Sequence, residues 1–301
     1  MSVRPVKKTV KSKATTEGAG VHLHRAFGFG DSHPLDPFLM MDDFRNDDPK
    51  FYSAGFPWHP HRGIETITYI LKGSVSHKDS LGNSGTLNDG AVQWMTAGSG
   101  ILHQEMPRGN SAGEMHGFQL WANLPSSEKM VTPRYQDITG EDITKVCDDD
   151  GAIIRVIAGN YRGYVGPVDG IVADPMYLDI SIPPLTYKKF PFSTLRQGFA
   201  YVFEGSACFK DSSQPFGIKI EKEFDGIDYE IRDFSGNRTL VLFDKGDEIA
   251  VTSGENGVRF LLVSGTPIKE PIAWYGPIVM NTQEELSQAL RELNNGTFIK
   301  T

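Results

Sequence analysis

The sequence predicts an all-β protein built of two related barrels with one helix near its end. Short runs rich in β-branched and aromatic residues recur between Gly, Pro, Asn and Asp, a segment of the first half returns in the second, and a single late stretch has helical spacing. Thirty-two Gly and eighteen Pro supply turns at the density an antiparallel sandwich or barrel needs.

The strand-like runs fall in chain order at TITYILKG (66–73), GAVQWMTAG (90–98), GFQLWANL (117–124) and AIIRVIAG (152–159). They continue at MYLDISI (176–182), FAYVFEG (199–205), TLVLFDKGDEIAV (239–251) and VRFLLVSG (258–265). Each is rich in residues that suit a pleated, half-buried surface and is bounded by turn formers. The helix is expected in MNTQEELSQALREL (280–293), where Thr282 and Glu285 form a capping box. Its apolar stripe is Leu286, Ala289, Leu290 and Leu293, and Asn295-Gly296 ends it.

Sliding the chain against itself lays TYILKGSVSHKDS (68–80) over AYVFEGSACFKDS (200–212), with six identities in thirteen positions at an offset of 132. Both copies read as a strand, a glycine turn and a second strand, so the two halves share one architecture. They are expected to meet near the acidic DITGEDITKVCDDDG (137–151). With the same offset His59 falls on Pro191, His61 on Ser193 and Glu65 on Gln197, and all eight histidines precede residue 117. Imidazole chemistry therefore belongs to the first half.

Composition narrows the function classes. The hydrophobic share of 39% over 301 residues supports a real core, and net charge is −8. Arg4, Lys7, Lys8, Lys11 and Lys13 put five positive charges and no acid into the first thirteen residues, leaving the remainder near −13. That body is no phosphate-binding surface, so no direct nucleic-acid partner is expected. The basic leader is expected to be a solvated, disordered terminus. Cys147 and Cys208 stand in no zinc or disulfide spacing. No apolar stretch is long enough to span a bilayer and no secretory signal opens the chain, so an intracellular, cytoplasmic or nuclear, soluble monomer is expected.

The chemistry concentrates in HPH and HQE. Alternate residues of a strand share a face, so His59 and His61 stand about 6 to 7 Å apart on one side and can converge on one ion. His103 and Glu105 share parity in the same way. On neighbouring strands the two pairs would offer three imidazoles and one carboxylate, leaving positions open on an octahedral ion. Such donors suit Fe(II), Mn, Ni, Cu or Zn. The HxH in VHLHR (21–25) reads as a solvent-facing strand pair, and His33, His77 and His116 as structural or surface groups. Phe56, Trp58 and Trp94 read as core packing or loop cover, with an aromatic pocket as the alternative.

HPHRG followed by ETITYILKG and QWMTAGSGILHQEMP resembles the pirin family of the cupin superfamily. LDPFLMMDDF, GFQLWANLPSSEKM and GPIVMNTQEELSQAL resemble pirin segments too, so the resemblance spans nearly the whole chain and is densest over 55–125. It implies two cupin barrels (double-stranded β-helix, or jelly roll): a metal-binding N-terminal domain at 1–140, and a C-terminal domain without metal at 141–301 that carries the helix. It implies one Fe2+ per chain on His59, His61, His103 and Glu105. Glu65 is the competing carboxylate, since many cupins take their acid from the first motif and Glu65 shares strand parity with His61. The resemblance otherwise leaves Glu65 to orient an imidazole. Trp58 departs from the small or charged residue expected before HPHRG and bears on the pocket mouth.

Two functions follow from the resemblance. One is a quercetin 2,3-dioxygenase-type oxidoreductase acting on a flavonol-like molecule and O2, with Glu105, or else Glu65, as general base. The alternative is a nuclear, iron- and redox-dependent transcription coregulator whose acidic body binds a basic regulator protein. A zinc hydrolase on the same ligands lacks a nucleophile elbow or HExxH to support it.

Overall fold

All eight strand-like runs form strands, the 239–251 run dividing into two. The computed structural model describes residues 2–30, 35–209, 220–224, 227–231 and 234–300. His33 and the last three positions of the second repeat copy lie outside them. In the first copy Ile64–Lys72 and Ser74–Asp79 flank Gly73, whose φ of 84° makes the turn. In the second, Gln197–Cys208 runs through Gly205 as one strand.

The chain forms two compact units, and neither is continuous in sequence. One comprises Lys13–Thr144, Gly166–Pro175 and Gly265–Thr301, the other Met1–Ser12, Lys145–Val165 and Met176–Ser264. The crossing at Thr144 lies near the expected division at 140, but the two ends of the chain lie with opposite units from those a contiguous split gives them. The reason is pairing. Val6–Lys11 runs antiparallel to Thr239–Phe243, whereas the helix buries its stripe beside Ala273, Ile278 and Met280 of the first unit.

The basic leader is therefore an edge strand and not a solvated tail. Its lysines face water and protect the edge, while Val6 packs on the core. Arg4 is buried over the Phe192 ring at 4.1 Å and donates to the carbonyls of Gly246 and Ser193. A charge count hides this because it ignores the apolar face of a guanidinium.

The first unit, which carries the histidines, holds a seven-stranded and a four-stranded sheet. The larger has the order Arg134–Ile138, Val92–Thr96, Ile64–Lys72, His116–Asn123, Phe38–Asp43, Val21–Phe27, Lys13–Glu17. The smaller is Phe56–His61, Ile101–Arg108, Ser74–Asp79, Ser84–Leu87. The second unit is a nine-stranded sheet around a core that includes Ile154, Leu178, Phe190, Phe260 and Leu262. Among the described residues no helix is long and apolar enough to cross a membrane.

The helix spans Gln283–Asn294 with both capping-box bonds formed, and Leu286 and Ala289 are buried. Because the Thr282 hydroxyl accepts the Glu285 N–H at 3.2 Å, Thr282→Ala is expected to cost about 1 kcal/mol. Urea unfolding that leaves the midpoint unmoved would show that the cap contributes nothing.

Candidate metal centre

Phe56–His61 and Ile101–Arg108 are antiparallel neighbours, with His59 opposite His103 and His61 opposite Ile101. Opposed residues point to one face, so strand parity and pairing together bring the three rings to one spot. Centroid separations are 4.9 Å for His59–His61, 4.4 Å for His59–His103 and 5.0 Å for His61–His103. One nitrogen from each lies within 4.8 Å of the others, and among the described residues this is the group of His, Cys, Asp and Glu arranged to hold an ion.

The ring environments fit that role. His59 Nδ1 sits 2.8 Å from the Pro57 carbonyl, which places its proton there and leaves Nε2 with a lone pair. His61 Nδ1 and both nitrogens of His103 are buried with no hydrogen-bond partner. Unsatisfied buried nitrogens cost about 1 to 3 kcal/mol each, and a metal would relieve that cost. Burial lowers the pKa of all three histidines, most strongly for His61 and His103, where neighbouring imidazoles add to it. The rings are thus neutral at pH 7, the state that ligates. Trp121 meets His61 edge-on at 5.1 Å and 89°, restricting its tilt.

Glu105 stands next to the three rings. A register shift between His103 and Glu105 puts Glu105 opposite Phe56, and its Oε2 lies 4.0 Å from His103 Nε2. Burial raises its pKa to about 7, against the lowering by the Thr68 hydroxyl 3.2 Å from Oε1. The same hydroxyl lies 2.6 Å from Gln119 Oε1. One hydroxyl proton cannot serve two acceptors, so the Gln119 amide is better turned to donate while Thr68 donates to Glu105.

Glu65 does not share the face of His61. Gly63, at φ 74°, turns the chain between Phe56–His61 and Ile64–Lys72, so numerical parity fails to carry across. The buried Glu65 carboxylate accepts from the Thr96 hydroxyl at 2.8 Å and is not in the three-histidine group. A Cβ at Gly63 would meet the Val279 carbonyl at 2.0 Å, so only glycine fits. Lys129 pins this turn, donating from Nζ to Gly63 O (2.8 Å), Asn123 Oδ1 (2.6 Å) and Val279 O (2.9 Å). Burial brings its ammonium down to about 7, partly opposed by Glu270 and Glu285. Arg62, next to His61, is likewise fixed by Glu292 and Phe298.

The remaining histidines lie elsewhere. His22 is exposed beside buried Val21 and Leu23, His77 is buried 3.0 Å from Gln93 Nε2, and His116 is 3.6 Å from Asp43. Trp94 belongs to the core, whereas Phe56 and Trp58 line a cavity of about 670 Å³ that opens from the histidines. Sequence reasoning missed most of its walls. Trp121 and Trp274 are there, as are Arg25, Asp42, Gln119 and Thr68, which face one another in consecutive registers across four strands.

Comparison with known proteins identifies the family. The Pirin family model matches residues 20–122 and that of the Pirin C-terminal cupin domain residues 177–299. A pirin-like protein of Caulobacter vibrioides is 40% identical over 299 residues, covering 99% of this chain and 100% of its own. Human pirin is 39% identical over 298 residues, covering 98% and 93%. The crystal structure of a quercetin 2,3-dioxygenase from Acinetobacter baumannii superposes with a TM-score of 0.84 at 29% identity, covering 99% of both chains.

Proposed function

This chain belongs to the pirin family, and from that premise we propose a metal-dependent oxidoreductase that opens a flavonol-like substrate with O2, of the quercetin 2,3-dioxygenase type. The observation that carries the reading is the set of three converging imidazoles, two of which, His59 and His61, line an aromatic-walled cavity. A flavonol and dioxygen would give the ring-opened ester and carbon monoxide, which balances without a further reductant.

His59, His61 and His103 would hold the ion, and Glu105 is placed to complete the set or to act beside it. We take the ion to be Fe2+, for which the donors are suited. When bound, it supplies Lewis acidity and a redox centre next to the substrate oxygens. Glu105 would take the proton of the substrate's enolic hydroxyl at Oε2, while Thr68 holds Oε1. Burial raises the proton affinity of this carboxyl in the metal-free protein, which suits it to accept a proton. Phe56, Trp58 and Trp121 would sandwich a flat ring system and keep water from the reacting carbons.

Iron-loaded protein mixed with quercetin and oxygen should bleach the flavonol spectrum and release carbon monoxide. Glu105→Gln is expected to lower kcat about a hundredfold or more. Full metal occupancy with an unchanged spectrum would sink the quercetinase reading and leave a metal-binding module.

A further inference from the structure

The cavity has a second polar end. Arg25 commits Nε and Nη2 to Asp42 at 2.8 and 2.7 Å and Nη1 to Glu17 at 2.9 Å, and all three residues line the cavity that His59, His61 and Glu105 also line. The registers Arg25–Asp42, Asp42–Gln119 and Gln119–Thr68 place these side chains on one face of the sheet. From the strand of Arg25 to that of Thr68, which touches Glu105, there are three inter-strand steps, roughly 14 Å. Between the ends the polar row narrows to Gln119, and Leu23, Phe44, Phe56 and Trp121 supply apolar wall around it.

The remote end carries two carboxylates against one guanidinium. Three of the five guanidinium N–H groups are directed at these carboxylates, and with one positive and two negative charges the cluster is net negative toward an incoming anion. Both Asp42 oxygens are taken by Arg25, whereas Glu17 uses Oε1 alone and is 42% exposed along its side chain. Glu17 Oε2 therefore remains as an acceptor at the cavity wall. Such an end accepts hydrogen bonds from hydroxyl groups and repels carboxylates and sulfates.

We propose that Glu17, held by Arg25, is a specificity-determining residue that selects flat aromatic ligands bearing a neutral hydroxyl donor at the end remote from the metal and rejects anionic ones. This rests on the flavonol reading above and adds a second point of recognition to it. A site built to pair with a hydroxyl discriminates strongly against an analogue that lacks one, because its acceptor stays unpaired.

The test uses quercetin, 3-hydroxyflavone, which has the metal-facing edge and no remote hydroxyls, and a 4′-carboxylated 3-hydroxyflavone. Dissociation constants of the metal-loaded protein are read from tryptophan quenching, Trp58, Trp121 and Trp274 lying in the wall. Wild type should bind quercetin about tenfold or more tighter than 3-hydroxyflavone, with the carboxylated probe weakest. In Glu17→Met, checked for an unchanged melting temperature, that ratio should fall to within about twofold and the carboxylated probe should gain. If Glu17→Met does not fold, Glu17→Gln, which removes the charge and puts an amide of the same shape in place of the carboxylate, should restore binding of the carboxylated probe. Equal wild-type affinities for quercetin and 3-hydroxyflavone, or a ratio that survives Glu17→Met, overturn the proposal alone. Binding of none of the three overturns the flavonol reading and the proposal with it.

Discussion

His103→Ala is expected to strip the metal from this protein while leaving the metal-free fold in place. His103 lies opposite His59 and closes the three-nitrogen group, so its loss leaves two imidazoles on one strand and a carboxylate 4.0 Å from where the third ring stood. If about 12 kcal/mol of binding is shared over four donors, each carries about 3 kcal/mol, a hundredfold or more in affinity. Metal content after dialysis should fall from near one per chain to about a tenth of that or less. The metal-free protein should change little, because deleting a ring whose two nitrogens have no partner offsets part of the cavity left behind. Added metal should raise the melting temperature of wild type and not of the variant. Undiminished metal in His103→Ala would place the ion elsewhere and remove the basis of the proposed activity.

How much of this centre was legible follows from what each residue depends on. His59 and His61 needed only strand parity, and His103 joined them on the supposition, met by the structure, that its strand is their neighbour. Parity in HQE sets Glu105 beside His103, and what HQE does not announce is the register shift that puts Glu105 opposite Phe56. Parity between His61 and Glu65 is interrupted by the turn at Gly63, between the strands Phe56–His61 and Ile64–Lys72. The row from Arg25 to Thr68 draws residues separated by up to 94 positions into adjacent registers, and pairing order across four strands is a tertiary fact.

The same division holds for the fold. Period-two runs, turn residues and the capping box are local, and they formed as expected. Exchange of the ends between units is not local, since it turns on which sheet edge receives Val6–Lys11 and which apolar surface receives Leu286 and Ala289. Trp274 reaches the cavity wall only because the segment from Gly265 onward belongs to the histidine-bearing unit. Composition misread the leader for a related reason: five charges in thirteen residues describe a solvent face, and an edge strand has one.

Glu292→Gln should be among the most destabilising single changes in the helix-bearing unit. Arg62 is 2% exposed, donates to Glu292 Oε2 at 2.8 Å and to the Phe298 carbonyl at 2.7 Å, and lies over the Phe298 ring at 4.1 Å. Removing the carboxylate leaves a buried guanidinium without its counter-ion, which costs about 3 kcal/mol. Partial burial would raise the Glu292 pKa, but bonds from Lys300, Gln288 and Arg62 prevail and bring it down to about 2. A carboxyl whose folded pKa lies below its unfolded value contributes stability above the unfolded value, near 4.5, and loses it as pH falls toward 2. The urea midpoint of Glu292→Gln should therefore lie well below wild type at pH 7, and the gap should narrow between about pH 4.5 and 2. Arg62→Leu combined with Glu292→Leu should recover part of the loss, since an apolar pair leaves no stranded charge. Because Arg62 adjoins His61, Glu292→Gln should also weaken metal binding at pH 7 without touching a ligand. Coincident midpoints at pH 7 would show that the helix is not anchored through this pair, and unchanged metal affinity would separate the anchor from the centre.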